Sequence, residues 1–121
     1  HYRTSDGFDV FAGKNNLQND LLTLKTAFKR DIWFHTQKIH GSHVILVTDG
    51  REPTDEAMTE AAMIAAYHSR GRSSSLVPVD YTPVRQVKKP AGAKPGMVIY
   101  HVYQTAYVTP NEAEVEKLRV E

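Results

Sequence analysis

The feature that most constrains this chain is an alanine-rich segment, AMTEAAMIAAYHS, at residues 57–69. Thr54 can cap a helix there, and Asp55 and Glu56 fall in its first turn, where negative charge is favoured. Small and apolar residues occupy most of the helix circumference, so the helix must be covered on several sides. Gly71 is expected to end it in the left-handed conformation. Such a helix needs a sheet or other helices packed around it.

Two segments before this helix have the composition of strands. In residues 31–36 side chains alternate between faces, with Trp33 and His35 together on one face. Residues 42–48 contain a continuous apolar run, 44–47, which is typical of a strand covered on both faces. Together these segments predict two central strands of a sheet.

The first thirty residues are expected to form a hairpin followed by a helix. Ser5-Asp6-Gly7 is a turn sequence within residues 2–13. Asn15 or Asn16 can cap the helix that follows. One apolar stripe at helical spacing is expected to face the core; its members are Leu17, Leu21, Leu24 and Phe28.

The second half of the chain reads mainly as β-structure. Residues 77–87 contain Pro78 and Pro83, which favour an edge strand or two short pieces. Residues 97–109 alternate and predict a hairpin or one long strand. The fold class is therefore α+β, with a largely antiparallel or mixed sheet of about five to seven strands and two main helices.

Composition excludes several classes of protein. The 121 residues suit one domain, and the absence of cysteine excludes disulfides and thiolate metal sites. No apolar run is long enough to span a membrane, so no membrane insertion is expected. The opening, HYRTSDGFDV, is unlike a signal peptide and runs straight into strand-like sequence, which is typical of a domain cut from a longer protein.

Charge is unevenly distributed along the chain. The whole chain carries a formal net charge of +1, and the tail from residue 111 has four glutamates against two cations. Residues 1–110 therefore carry +3. Four cations lie within ten residues that contain no acid: Arg85, Lys88, Lys89 and Lys94. A local basic cluster of this kind either is simply solvated or binds a polyanion.

The histidines around Trp33 allow several chemical interpretations. His35, His40 and His43 could approach a metal, but no carboxylate joins them at a known spacing, so no metal site is predicted. Ser42 beside His43 is not a catalytic pair, because neighbouring strand residues point to opposite faces. Trp33 and His35 could form a platform for unpaired bases. A lone tryptophan also suits the core, and hydrogen-bonded structural histidines remain the alternative to ligand-binding ones.

Five stretches, taken in order, resemble a known family. They are SDGFDVFAGKNNLQND (5–20), DIWFHT (31–36), GSHVILV (41–47), the long block at 60–100 and YVTP (107–110). The chain resembles the C-terminal RNA-binding-type domain, NFACT-R, of the bacterial fibronectin-binding protein A / RqcH family, in a streptococcus-like form. The resemblance implies an NFACT-R domain at residues 1–110, followed by a charged tail at 111–121 that is expected to form a short helix. His40 departs from the pattern, where proline is expected.

The resemblance implies two functions. In one, the domain belongs to a ribosome-associated quality-control factor that binds tRNA and the large ribosomal subunit while alanine tails are added to stalled chains. This would be a cytoplasmic binding domain without enzyme activity, cofactor or metal. In the alternative, the domain belongs to an anchorless adhesin and virulence factor that binds fibronectin at the cell surface. The segment 97–109 is then the expected sheet edge for pairing with fibronectin.

The RNA interpretation assigns a role to each of eleven residues. Lys14, Asn15 and Asn16 would hold a phosphate at a helix start. Trp33 and His35 would stack on or frame a base. The remaining six are expected as hydrogen-bonding neighbours or as phosphate-binding cations: Ser42 and His43, then Arg85, Lys88, Lys89 and Lys94.

Overall fold

The computed structural model describes residues 1–120, which form one open antiparallel sheet of six strands and three α-helices. The strands follow the spatial order β1-β2-β4-β3-β5-β6. Their bounds are β1 Tyr2–Arg3, β2 Asp9–Ala12, β3 Ile32–Thr36, β4 Val44–Leu46, β5 Val77–Pro83 and β6 Gln104–Val108. The predicted α+β class with an antiparallel sheet is confirmed.

The helices lie on both sides of this sheet. Helix α1 (Asn16–Asp20) continues directly into a π-helical segment (Leu21–Thr26). The long helix α2 spans Asp55–Tyr67, and α3 spans Glu112–Lys117. A single turn of 3-10 helix, Val84–Gln86, follows β5.

The alanine-rich helix forms as predicted, but it ends differently. The Thr54 hydroxyl oxygen accepts the amide of Ala57 at 3.0 Å, which caps the first turn. The helix ends at His68, which has a φ of −93°. The prediction of a left-handed stop at Gly71 is wrong. A Cβ at Gly71 would lie 3.0 Å from Ile39 Cδ1, so close packing rather than backbone handedness favours glycine there.

Apolar side chains fill both faces of the sheet. On the face covered by α2, the side chains of Phe34, Val44 and Leu46 are fully buried. On the opposite face, Trp33 and Ile45 pack beneath side chains of the π-helical segment. The apolar run in β4 is therefore covered on both sides, and the predicted alternation of β3 is confirmed.

The sequence suggested that Pro78 and Pro83 would make this segment an edge strand or two short pieces. The structure instead has one strand, β5, inside the sheet. This strand lies between β3 and β6. Pro78 lies one residue beyond the end of β3, and its carbonyl accepts the amide of Gln37 at 2.9 Å. Pro83 is the last residue of β5 and lies beyond the end of β6. Each missing amide therefore interrupts little of the ladder, and a central position is tolerated.

The predicted apolar stripe of the first helix faces outward. Leu17, Leu21 and Phe28 are 71%, 57% and 61% exposed. Asn19 and Thr23 lie on the other side of this helix, where both are buried and bind His43 through hydrogen bonds. These polar contacts turn Leu17, Leu21 and Phe28 toward solvent, whereas Leu24 is half-buried, so the stripe as a whole does not face the core.

The hairpin or single long strand predicted at 97–109 does not form over that length. Only Gln104–Val108 forms a strand, β6, which pairs with β5 and lies at the edge of the sheet. Residues 97–103 are an irregular segment that crosses the face opposite α2. It is anchored by a pair of backbone hydrogen bonds between Lys88 and Ile99.

Candidate functional site

A cleft opens where the loop after β3 faces the segment 95–97. Its volume is about 430 Å³. Stretches that are far apart in the chain supply its walls: α1, β3 with the loop after it, and residues 95–100. The lining residues are Asn16, Asn19, Trp33, His35, Thr36, Lys38, Ile39, His40, Gly41, His43, Pro95, Gly96, Met97, Val98 and Tyr100. None of these lining residues is acidic.

Two stacked rings from β3 form one wall of the cleft. The rings of Trp33 and His35 are nearly parallel, at 7°, with centroids 5.7 Å apart. Tyr100 and His43 pack on the indole at 4.7 and 5.4 Å. Because Trp33 is only 1% exposed, it cannot itself stack on a ligand, but it lines the cleft behind His35, so of its two predicted roles only framing is available. Its Nε1 has no hydrogen-bond partner among residues 1–120, so packing alone holds the indole in place.

His43 is a structural histidine. Its Nε2 lies 3.1 Å from the carbonyl of Gly96, which can only accept, so Nε2 carries the proton. Nδ1 then accepts from the Thr23 hydroxyl at 2.8 Å. Burial, and next the neighbouring His35, lower the pKa of His43 to about 4. With both nitrogens occupied and the ring buried, the predicted ligand contact from His43 is not available.

His35 is the ring that the cleft presents. It is partly exposed and lines the cleft, with Trp33 behind it. Burial lowers its pKa, and hydrogen bonding to the backbone at Thr36 and Gly41 opposes that change. The imidazole is therefore neutral at neutral pH and offers a flat aromatic surface.

Ser42 does not reach the cleft. Its amide donates to the carbonyl of His68 at the end of α2, at 3.0 Å. That contact places Ser42 on the side of α2, while its neighbour His43 faces the opposite side of the sheet. Ser42 is not among the lining residues, so the cleft does not include this predicted neighbour of the ligand.

The start of α1 is occupied by its own side chains. Asn15 Oδ1 accepts the amide of Gln18 at 2.9 Å, and the amide of Lys14 donates to Gln18 Oε1 at 2.9 Å. These two amides are not free to bind phosphate, which removes two donors from the predicted anion site at the helix start. Asn15 is a cap, Asn16 lines the cleft, and the Lys14 side chain is exposed beside it.

Lys89 is a structural cation rather than a free one. Its Nζ lies 3.1 Å from Asp20 Oδ2 and also donates to the carbonyl of Lys94. Asp20 Oδ1 accepts the amide of Gly96 at 3.0 Å. The ion pair therefore ties the loop at 90–96 to α1, and the predicted phosphate contact from Lys89 is replaced by this internal one.

The other cations divide into two groups. Lys94 and Lys88 are exposed on the same loop region, with Lys94 directly preceding the cleft-lining Pro95. Arg85 is exposed at the other end of β3, where its amide donates to the carbonyl of Lys29 at 3.2 Å. The structure therefore does not bring Arg85 to the cleft.

Sequence reasoning missed Lys38. This residue is exposed, lines the cleft and has a φ of +62°, which an L-residue rarely adopts. Its position between DIWFHT and GSHV was the only clue, since nothing in the residue type distinguishes it from other loop lysines.

Asp80 was also missed, although it organises the region behind the cleft. It is 2% exposed, and three side chains donate to its carboxylate: Gln37 at 3.0 Å, Thr105 at 2.8 Å and Tyr100 at 2.6 Å. Burial, and then the hydrogen bond to Asp80, raise the pKa of Tyr100. The tyrosine therefore stays protonated and fixes part of the cleft wall.

Two further features bear on function. Among residues 1–120, no group of three or more histidine, aspartate or glutamate side chains is placed to hold a metal ion. In the same part of the chain, the helices are too short or too polar to cross a bilayer.

Comparisons with known proteins agree on one family. A family model described as the NFACT protein RNA binding domain matches residues 1–102. The chain is similar to Rqc2 homolog RqcH of Bacillus subtilis, at 49% identity over 118 residues, which is 98% of this chain and 20% of that protein. It is similar to RqcH of Streptococcus suis at 46% identity, over 98% of this chain and 22% of that protein.

A solved structure has the same fold. It is the C-terminal of the fibronectin/fibrinogen-binding protein from Streptococcus suis, with a TM-score of 0.94 and 46% identity. The match covers 98% of this chain and 48% of that one. The chain spans about a fifth of the length of the curated relatives named above.

Proposed function

This chain belongs to the NFACT protein RNA binding domain family, and we propose that it binds RNA at the cleft between the loop after β3 and the segment 95–97. The observation that supports the proposal is that distant parts of the chain converge on this cleft. Sequence stretches far apart in the chain meet at one cleft whose lining contains no acidic residue. Lys38 lies in the lining, the exposed Lys94 directly precedes the lining residue Pro95, and the exposed Lys14 lies two residues before the lining residue Asn16. Cations around a groove without carboxylates suit a phosphate backbone.

The carboxylates nearest this cleft do not oppose such binding. Asp20 is paired with Lys89, and Asp80 is buried under three hydrogen-bond donors. The charge of Asp20 is therefore balanced by Lys89, and the Asp80 carboxylate is not exposed, so neither presents a free negative charge to a ligand in the cleft.

We infer that the domain serves a longer factor in ribosome-associated quality control. In this role it contacts tRNA or the large ribosomal subunit while alanine is added to a stalled chain. The domain contributes binding and positioning in the cytoplasm, and bond formation belongs to the ribosome. The support for this inference is the similarity to RqcH proteins along nearly the whole of this chain.

The test is fluorescence anisotropy of labelled alanine tRNA at about 50 and 200 mM salt. Contacts from Lys14, Lys38 and Lys94 to three phosphates would weaken binding roughly 40-fold over this range, from the expected counterion release. Binding that does not change with salt would contradict phosphate recognition. No binding at about 50 mM salt would contradict RNA binding by this domain.

A second candidate function is fibronectin binding. The solved structure with a TM-score of 0.94 is named for a fibronectin/fibrinogen-binding protein, and β6 here is an open edge strand. Pro78 directs its carbonyl toward Gln37 on the β3 side. Its partner Tyr107 therefore turns its own backbone groups away from β5, toward the open edge. That edge could accept a strand from fibronectin, which would place the domain at the cell surface.

Tyr107→Pro separates the two functions. Tyr107 is 65% exposed, and its amide is not needed by the β5–β6 ladder, so the fold should persist. Loss of fibronectin binding with unchanged tRNA binding would support strand addition at β6. Unchanged fibronectin binding in a folded variant would contradict it. The matched control is Tyr107→Thr, which keeps the edge amide.

A further inference from the structure

The cleft has more volume than a phosphate group needs. A phosphate backbone can be held by cations on a shallow surface, whereas pockets for small organic ligands usually enclose about 300–1,000 Å³. The cleft volume of about 430 Å³ falls within that range. A cleft of this volume has room for a flat or apolar group as well as a charged one.

The His35 wall is already arranged for a planar group. His35 lies parallel to Trp33 at 5.7 Å, and Tyr100 and His43 hold the indole from two further sides. The imidazole is thus supported from behind before any ligand arrives. A pre-positioned ring loses little conformational freedom on binding, which favours stacking.

The other walls of the cleft are apolar inside and positively charged near the opening. Ile39 and Met97 offer apolar surface, and Met97 is 59% exposed at the opening. Lys38 lies in the loop after β3 and is exposed. Lys94 is also exposed and directly precedes Pro95, on the segment that faces this loop. The interior therefore suits an uncharged planar group, and the mouth suits the anion that carries it.

The protonation states of His35 and His43 agree with an uncharged interior of the cleft. Burial lowers the pKa of both His35 and His43. At neutral pH neither of these two imidazoles is charged, so the exposed lysines supply positive charge at the mouth. A phosphate would remain there, and only the neutral part of its nucleotide would be favoured inside.

We propose that the cleft holds one unpaired nucleobase of an RNA, stacked against His35 and flanked by Ile39 and Met97, while the adjoining phosphates contact Lys38 and Lys94. This inference rests on the RNA-binding function proposed above and adds a requirement to it. The preferred RNA must offer a base that is free of pairing, such as a bulge, a loop or a strand end.

Three RNA duplexes test this directly in anisotropy measurements at about 100 mM salt. One is perfectly paired, one carries a single bulged nucleotide, and one carries an abasic residue at the bulge. The bulged duplex should bind about five- to hundred-fold more tightly than the abasic one, which is the range of one base–aromatic stack. The abasic duplex keeps the phosphates and the bend, so it isolates the base.

Variants assign the effect to His35. His35→Ala should remove the difference between the bulged and the abasic duplex, and His35→Phe should restore it because the ring is kept. His101→Ala is the matched control, since that histidine is exposed and does not line the cleft. Trp33, the only tryptophan in the sequence, reports folding of each variant and should change its fluorescence when a base enters.

Each outcome separates this inference from the broader function. Equal binding of all three duplexes, with a steep salt dependence, would overturn the base site and leave RNA binding intact. A preference for the bulge that survives in folded His35→Ala would also overturn it. If His35→Ala unfolds, Met97→Glu at the exposed lip replaces it and should reduce the preference for the bulge. No RNA binding at about 50 mM salt would overturn both proposals.

Discussion

His43 donates through Nε2 to the carbonyl of Gly96, 53 residues further along the chain, at 3.1 Å. The amide of Gly96 in turn donates to Asp20 at 3.0 Å, and Asp20 binds Lys89 at 3.1 Å. These contacts join β4, α1 and the loop at 90–96 through partly buried polar groups. The width of the cleft is therefore set by hydrogen bonds whose energies respond to protonation and to single substitutions.

Lowering the pH should destabilise the domain through His43. The unfolded chain takes up a proton on this residue near pH 6.5, whereas the folded chain does so only near pH 4. Unfolding is therefore favoured progressively as the pH falls between these values, by on the order of 3 kcal/mol in total. Urea unfolding at pH 7, 6 and 5 measures the trend. His43→Gln should make the trend less steep, and the remainder should come from His35 and His68, whose pKa burial also lowers. An equally steep slope in that variant would contradict the assignment.

Lys89 and Lys88 should behave oppositely on substitution. Lys89→Ala removes a partly buried ion pair with Asp20 and should lower the free energy of unfolding by about 1–2 kcal/mol, allowing for solvent screening. Lys88→Ala changes an exposed side chain and should stay within about 0.5 kcal/mol of the parent. Chemical denaturation compares the two. Equal stabilities would show that Lys89 does not secure the loop.

Asp80 should be among the most sensitive positions. Asp80→Ala leaves the hydroxyls of Tyr100 and Thr105 and the amide of Gln37 without their shared acceptor. The expected loss is roughly 3 kcal/mol or more, because buried unsatisfied donors are costly. Asp80→Asn keeps one acceptor oxygen and should lose less. Thermal and urea unfolding of both variants decide this, and a loss below about 1 kcal/mol in Asp80→Ala would contradict it.

Because Leu17 on the first helix faces solvent, a charged side chain should be tolerated at this position. Leu17→Glu should alter the free energy of unfolding by less than about 0.5 kcal/mol, since Leu17 is 71% exposed. Thr23→Val should cost more, because it breaks the buried hydrogen bond to His43. Denaturant midpoints compare the two variants. A large loss in Leu17→Glu would restore the buried stripe that the sequence pattern favoured.

Sequence patterns predicted elements whose causes are local. The Thr54 cap and the alternation around Trp33 depend on neighbours within a few residues, and the burial of β4 on both faces is visible in its own continuous apolar run. The leucine stripe was misassigned because periodicity identifies an apolar face without saying what covers it. Here Asn19 and Thr23 decide the orientation through contacts to His43, which lies about twenty residues away in sequence.

The candidate site was predicted only in part, because some of its contacts join residues that are far apart in the sequence. The sequence identified the stretches that meet at the cleft, and it placed Asn16 and His35 there. It could not show that Lys89 is engaged with Asp20, or that Asp80 gathers donors from other strands. Long-range pairings of this kind depend on how the segment between 84 and 103 crosses the sheet.

The most direct test of the central claim compares three single charge reversals. Lys38→Glu and Lys94→Glu change exposed lysines at the cleft, and Lys117→Glu makes the same change on α3, which packs on the opposite face of the sheet. Affinity for labelled tRNA is measured at about 100 mM salt. We expect about tenfold weaker binding or more for the two cleft variants and little change for Lys117→Glu. Equal losses in all three folded variants would contradict RNA binding at the cleft.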